Sequence, residues 1–373
     1  MKWARSPPAE SMTFTASVAA PAPPRGDFPH RRDIRAWLAP MATPSTVRAL
    51  SLVALDIGLF AAGLVAIVML QDAALKLLAG ICTGIVIGRL FILGHDACHQ
   101  SLTRHRRLNR WLGRVVFLPS LTPFSLWEVG HNVVHHGYTN LRGVDFVWQP
   151  HTLAEYRAMP AWRRLLEQAY RSGWAPWLYY LIEIWWTRLL FPNRRHMPSR
   201  RTEFRRDGFL VCAFAALWIA GLVATARSTG QSAAVLVASG FVLPFLAWNA
   251  LIGFVVYVHH THAAVSWYQD KPSWAAAMPF VSTTVHLTFR SAAGSLLHHI
   301  TEHTAHHVDM SVPLYRLREA QAELERRLRP HIVVQPFSWR WYFETARCCK
   351  LYDFEAGCWT DFEGRRTSPV VCA

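Results

Sequence analysis

The stretch His298-His299-Ile300-Thr301-Glu302-His303-Thr304-Ala305-His306-His307 puts five histidines into ten residues. On a helix, positions 303, 306 and 307 fall at i, i+3 and i+4, so their imidazoles project from one face. Two earlier boxes repeat the pattern: His95-Asp96-Ala97-Cys98-His99, and His131-Asn132-Val133-Val134-His135-His136. Neutral imidazole is the commonest protein metal ligand, and eight in three boxes exceed what one tetrahedral zinc takes. Imidazole suits zinc, copper, iron and nickel alike, so ligand type alone does not choose the metal. Eight or nine histidines divide naturally into two sites of four or five. A redox-active pair beside a membrane would suit oxygen chemistry on a lipid chain.

Further candidates lie close to the boxes. His260 and His262 alternate just after an apolar run, and His262 is taken as the ligand that completes the shell. His298 and His299, with Asp96, Asn140, Asp145 and Glu302, are placed to accept or donate at the outward nitrogen of a ligand ring. His30, His105, His151, His196, His286 and His331 stand apart from the boxes and read as surface or interfacial residues.

Four apolar runs must position these groups. Ala49 to Leu70 and Leu77 to Leu93 form one pair around the polar break Gln71-Asp72. Phe209 to Ala226 and Ala233 to Val258 form another around Arg227 to Ser232. Each run can cross roughly 30 Å of hydrocarbon as a helix. Both hairpins return the chain to histidines, at His95 and at His259-His260. Segments 111–127 and 174–191 are short and aromatic-rich, and read as interfacial or re-entrant helices. Arg316–Arg329, ended by Pro330, reads as a solvated helix over the site. The expectation is an all-α integral membrane protein of four spans with a helical cap carrying the histidines.

Charge sets the orientation. Of 39 Lys and Arg, 36 lie in residues 1–48, 95–207 and beyond 258, all on one side of this topology. Positive residues mark the cytoplasmic face, so both termini and every histidine box are expected there, against anionic headgroups. The net charge of +15 therefore needs no nucleic acid, and no nucleic-acid motif is present. The seven cysteines lack Cys-x-x-Cys spacing and read as reduced thiols. The Pro-rich residues 1–45 lack the apolar core of a secretory signal and read as a disordered cytoplasmic tail. A histidine-rich metal transporter would need ionisable residues facing one another inside the spans. Here only Asp56 and Arg89 interrupt them.

At the three boxes the sequence resembles the membrane fatty acid desaturases. Gly137-Tyr-Thr-Asn140, His260-Thr-His262 and His299-Ile-Thr-Glu-His303 are similar to bacterial enzymes of the delta-12, acyl-lipid type. The resemblance implies a desaturase domain over 46–365, a short tail over 366–373, and residence in a bacterial inner membrane. It implies two irons on His95, His99, His131, His135, His136, His303, His306 and His307, with His262 the approximate match to a further ligand. It also implies O2 as co-substrate, an acyl lipid or acyl thioester as substrate, and removal of two hydrogens to leave a double bond. No haem segment or nucleotide fingerprint is visible, so electrons are expected from a separate donor of the acidic ferredoxin kind. A hydroxylase on the same scaffold is the alternative, because both reactions begin with the same hydrogen abstraction. A slot between Leu90–Leu93 and Phe254–Val258 is the expected seat of the chain.

Overall fold

The computed structural model describes residues 28–192, 201–290 and 292–370. Among the described residues, four helices are long and apolar enough to cross a membrane: Thr46–Met69, Ala73–Cys98, Thr202–Thr229 and Ala233–His260. Local chemistry sets their ends. Asp72 caps the second span by accepting from Leu75 N at 2.9 Å, so the polar break is also a helix start. Gly230 ends the third span in the left-handed region at φ +68°, and Ser232 then caps the fourth. At 1.5 Å per residue the shortest of the four is about 36 Å long, enough to cross.

The spans are not equivalent. Inside the apolar window, 61% of the second span and 44% of the fourth are buried, against 17% for the first and third. The second and fourth therefore form the protein-facing pair, and the other two lie at the periphery. Gly80 and Gly84 let this central pair touch backbone to backbone. A β-carbon at Gly80 would stand 2.3 Å from the Ser239 carbonyl oxygen, and one at Gly84 would stand 2.6 Å from that of Pro244. Small residues four apart are the usual means of close helix approach in lipid. Here they bring together the two spans that lead into histidines.

The cap holds helices Arg106–Phe117, His303–Val308, Leu317–Leu328 and Trp339–Cys348 among its elements. The described residues are mostly helical, as expected, with two small two-stranded sheets among the helices. Val285–Thr288 pairs in parallel with Val333–Pro336, and Leu351–Asp353 pairs antiparallel with Cys358–Thr360. These β-branched and aromatic runs are too short to have shown a period. The segment after Pro176, expected to be interfacial or re-entrant, packs on the fourth span. It runs from Pro176–Tyr179 into a π-helical Tyr180–Leu190, and Trp177 packs backbone-close on Gly253 of the fourth span.

Ordered structure reaches into both ends of the described residues. From Phe28 onward the N-terminal region is built: Arg31–Leu38 is helical, and Arg31 donates to the His307 carbonyl at 2.9 Å. Residues 1–27 of the expected tail lie outside the described residues. At the other end Thr367 N donates to the Trp359 carbonyl at 2.9 Å, so 366–368 belong to the cap. Cys82, Cys98, Cys212, Cys348, Cys349 and Cys358 are free thiols.

Candidate metal centre

Among the described residues, nine imidazoles converge beneath the cap in two adjoining groups. His95, His99, His131, His136 and His306 form one, and His135, His260, His303 and His307 form the other. Helix type decides the sorting. The first box lies at the end of an α-helix, so His95 and His99 share a face, with their Nε2 atoms 3.3 Å apart. The second box lies at the end of a π-helix, Val129–His135, and His136 N donates to the His131 carbonyl at 2.9 Å, an i→i+5 bond. That wider turn aligns His131 with His136, whose Nε2 atoms are 3.1 Å apart. It turns His135 toward the other group, 4.6 Å from the His260 ring. A π-turn in an α-helix is often retained at a functional site. In the third box His303 and His307 pair at i, i+4 with Nε2 atoms 3.1 Å apart, while His306 faces His136 at 3.0 Å.

The donor set fits metal. Nitrogens bound at about 2.0–2.1 Å to a common ion, 90–109° apart, lie about 2.8–3.4 Å from one another. The Nε2 pairs His131–His95, His136–His131, His306–His136 and His303–His260 fall at 2.8, 3.1, 3.0 and 2.9 Å. Burial, and after it the neighbouring imidazoles, hold His99, His131, His136, His303, His306 and His307 well below the ordinary histidine range. That direction favours the neutral form of these six rings, whose lone pairs can then serve a cation.

Outward nitrogens are held where the structure gives them partners. His135 Nδ1–H donates to Asp145 Oδ1 at 3.0 Å. Asp145 is held in turn by Asn140 N and Val147 N, at 2.9 and 3.0 Å. Thr139 Oγ1 donates to the His135 carbonyl at 2.8 Å and accepts from His307 Nδ1–H at 3.3 Å, which aims His307 Nε2 inward. The Trp127 indole stacks on His131 at 4.8 Å and 16°. Asp145→Asn is expected to loosen the centre. The amide keeps one acceptor where the carboxylate serves three donors, and such partners commonly contribute about 10–100-fold in metal affinity or activity. Metal retained per chain during dialysis against a chelator checks this, with the wild-type protein in parallel.

Most expected site residues meet here, with one correction. His262 is not in either group. Its Nδ1 accepts from Ala264 N at 3.0 Å and its Nε2–H donates to Gln335 Oε1 at 3.3 Å. Burial pushes this ring down to about 4, partly offset by the Gln335 bond. The ninth imidazole is His260, because the fourth span stays helical through that residue. Of the supporting residues, Asp145 reaches a ligand ring directly and Asn140 does so through it. Asp96 Oδ1 stays 3.7 Å from His95 Nδ1, while Asp96 Oδ2 takes the Leu314 N–H at 2.6 Å. Glu302 bonds His299, and His298 bonds Asp56, so neither pair touches the groups. His259, not among the expected ligands, stacks on His303 at 4.2 Å. His286 pairs with Glu325, away from the site, and His196 lies outside the described residues.

A narrow apolar slot runs up to the imidazoles. Phe91 and Ile92 of the second span, Val255 of the fourth, Tyr180, Ile184 and Ile300 line it, and His95, His131, His135 and His303 close its inner end. Among the described residues, no acid, base or nucleophile faces these walls apart from the histidines and the Tyr180 phenol.

Comparison with known proteins gives a consistent result. A family model described as fatty acid desaturase matches residues 72–339. The sn-1 oleoyl-lipid 12-desaturase of Synechocystis sp. is 27% identical over 307 residues, 82% of this chain and 84% of that protein. The protein of the same description from Picosynechococcus sp. is 28% identical over 276 residues, 73% of this chain and 76% of its own. A chloroplastic omega-6 fatty acid desaturase of Arabidopsis thaliana is 26% identical over 278 residues, 74% of this chain and 59% of the plant protein.

Proposed function

The chain belongs to the fatty acid desaturase family, and from that premise we propose that it forms a double bond in a membrane acyl lipid, using O2 and two irons. The observation that carries the reading is the pair of imidazole groups opening onto an apolar slot at the ends of the second and fourth spans. His95, His99, His131, His136 and His306 would hold one iron, and His135, His260, His303 and His307 the other. Bound iron supplies the oxidising power that unactivated methylenes require and that no side chain has.

The protein's own part is binding, orientation and exclusion of water. The slot straightens a flexible chain and brings one carbon–carbon bond to the imidazoles, replacing entropy that would otherwise be lost at the reaction step. Its walls keep bulk water away from the reacting carbons. Over the cycle the chain loses two hydrogens, and O2 with two electrons and two protons becomes two waters. The electrons come from a separate donor, and the basic face of the cap suits an acidic protein such as a ferredoxin. The charge pattern supports a cytoplasmic cap, with a bacterial inner membrane as the host bilayer. The names of the relatives point to position 12 of a lipid-bound oleoyl chain as the first substrate to supply.

The test is expression of the full chain in a host that makes oleoyl lipids and no dienoic chains. Protein purified gently in detergent is expected to carry two irons, and host lipids are expected to show chains lighter by two hydrogens. Chains heavier by one oxygen would turn the reading to a hydroxylase. A single tightly held zinc in active protein would overturn the iron assignment.

A further inference from the structure

Asp56 in the first span and Arg89 in the second are ionisable, lie in membrane-crossing helices and belong to neither imidazole group. Charges at such depth are costly, are found paired, and mark function by default. Here Arg89 Nε and Nη2 reach Asp56 Oδ1 at 2.9 and 2.8 Å. The other carboxylate oxygen accepts from His298 Nε2–H at 2.6 Å, and Arg89 Nη1 donates to the Leu296 carbonyl at 2.6 Å. Asp56 and His298 are both buried. One point thus ties two spans to the segment that leads into His303. A buried ion pair can often give way to apolar residues with no loss of stability, so stability explains this triad poorly and geometry explains it better.

The tied segment is a wall of the slot. Asp56 lies about 15 Å along its helix from Thr46, so His298 is drawn well below the cap-side end of the span. Leu296 is 50% exposed on the outer side, whereas Ile300 is buried and lines the slot. Between them His298 and His299 stand at φ +50° and +60°, which residues with a β-carbon keep only where their surroundings over-determine it. Backbone bonds from His298 N to Ser295 O and from His299 N to Gly294 O set the turn. The Asp56–His298 bond anchors it to the spans, and Ile300 follows two residues later.

We propose that Asp56, Arg89 and His298 form a latch that fixes Ile300 in the slot wall and so sets which carbon pair meets the imidazoles. This rests on the desaturase reading. Apart from the imidazoles and the Tyr180 phenol, the described slot walls are apolar and hold no fixed charge that could register a methylene chain, so its register depends on wall shape. Ile300 is the wall residue three positions before His303, and movement there is felt beside the reacting carbons. These three residues act as positioning residues, since none touches the chain or the imidazole groups.

The experiment uses the full chain in the same oleoyl-lipid host, with His298→Gln, Arg89→Lys and Ile300→Ala. Double-bond position in the product, iron per chain, and amide exchange over 293–302 are measured together. A misplacement of about 1 Å can change a rate about 100-fold, so the latch variants should raise a second positional isomer at least about tenfold and speed exchange in 293–302. Ile300→Ala should shift the isomer ratio with the triad intact. A purely structural role would lower all isomers alike at a constant ratio. Iron-loaded latch variants that make the wild-type isomer alone overturn the proposal. If the latch variants fail to insert, Ile300→Ala decides, and an unchanged ratio there overturns it. A wild-type chain that makes no double bond sinks the desaturase reading instead.

Discussion

His306→Ala is expected to abolish desaturation while the chain remains in the membrane. The ring is completely buried, and its Nε2 lies 3.0 Å from His136 Nε2 in the five-histidine group. Losing a partner that only orients a ligand commonly costs about 10–100-fold in affinity or activity, so losing a ligand should cost more than about 100-fold. The fold has other holds on this helix. Ala305 N donates to Gln321 Oε1 at 2.8 Å, and Arg31 Nη2 grips the His307 carbonyl. The substitution also lies outside the spans, so insertion should be unaffected. His105→Ala is the control, because that ring is exposed and makes no cap bond to the helix it precedes. New double bonds per unit of membrane-inserted protein separate lost chemistry from poor expression. Near-normal turnover in His306→Ala with loss in His105→Ala would remove His306 from the centre.

The spans were legible because hydropathy is a local property: each apolar run read from composition lies within one helix, to within a few residues. The three boxes were legible for the same reason. Their sorting was not, because it depends on helix type. An α-helical reading puts His131 with His135, and the π-turn puts His131 with His136 instead. An α-helical face likewise groups 303, 306 and 307, whereas the structure divides them between the two imidazole groups. Partners distant in sequence were hidden altogether. His298 looks like support for its neighbouring box, yet its acceptor is Asp56, 242 positions away. Thr139 carries no motif, but its hydroxyl fixes His307 across 168 positions. The N-terminal helix was hidden by its Pro-rich surroundings. It is ordered by tertiary contacts such as Arg35 with Asp309, not by its own propensity.

The pair His260→Ala and His262→Ala should separate most sharply. The sequence offers two imidazoles two residues apart, and on a strand both would face one way. The chain instead stays helical through His260 and becomes extended at Thr261. That break sends His260 to His303, with Nε2 atoms 2.9 Å apart, and sends His262 to Gln335 and Ala264. His260→Ala leaves three imidazoles in a group of four, so iron per chain should fall toward one and turnover by more than about 100-fold. His262→Ala should keep both irons. It leaves the buried Ala264 N–H and Gln335 side-chain oxygen without the bonds the ring supplied. Such losses cost about 1–3 kcal/mol each, which would appear as a lower melting temperature with near-normal turnover in the surviving protein. Iron analysis and thermal unfolding on the same detergent preparations read both effects. Loss of iron from His262→Ala, with both irons kept in His260→Ala, would reverse the assignment and return the shell to its sequence-based form.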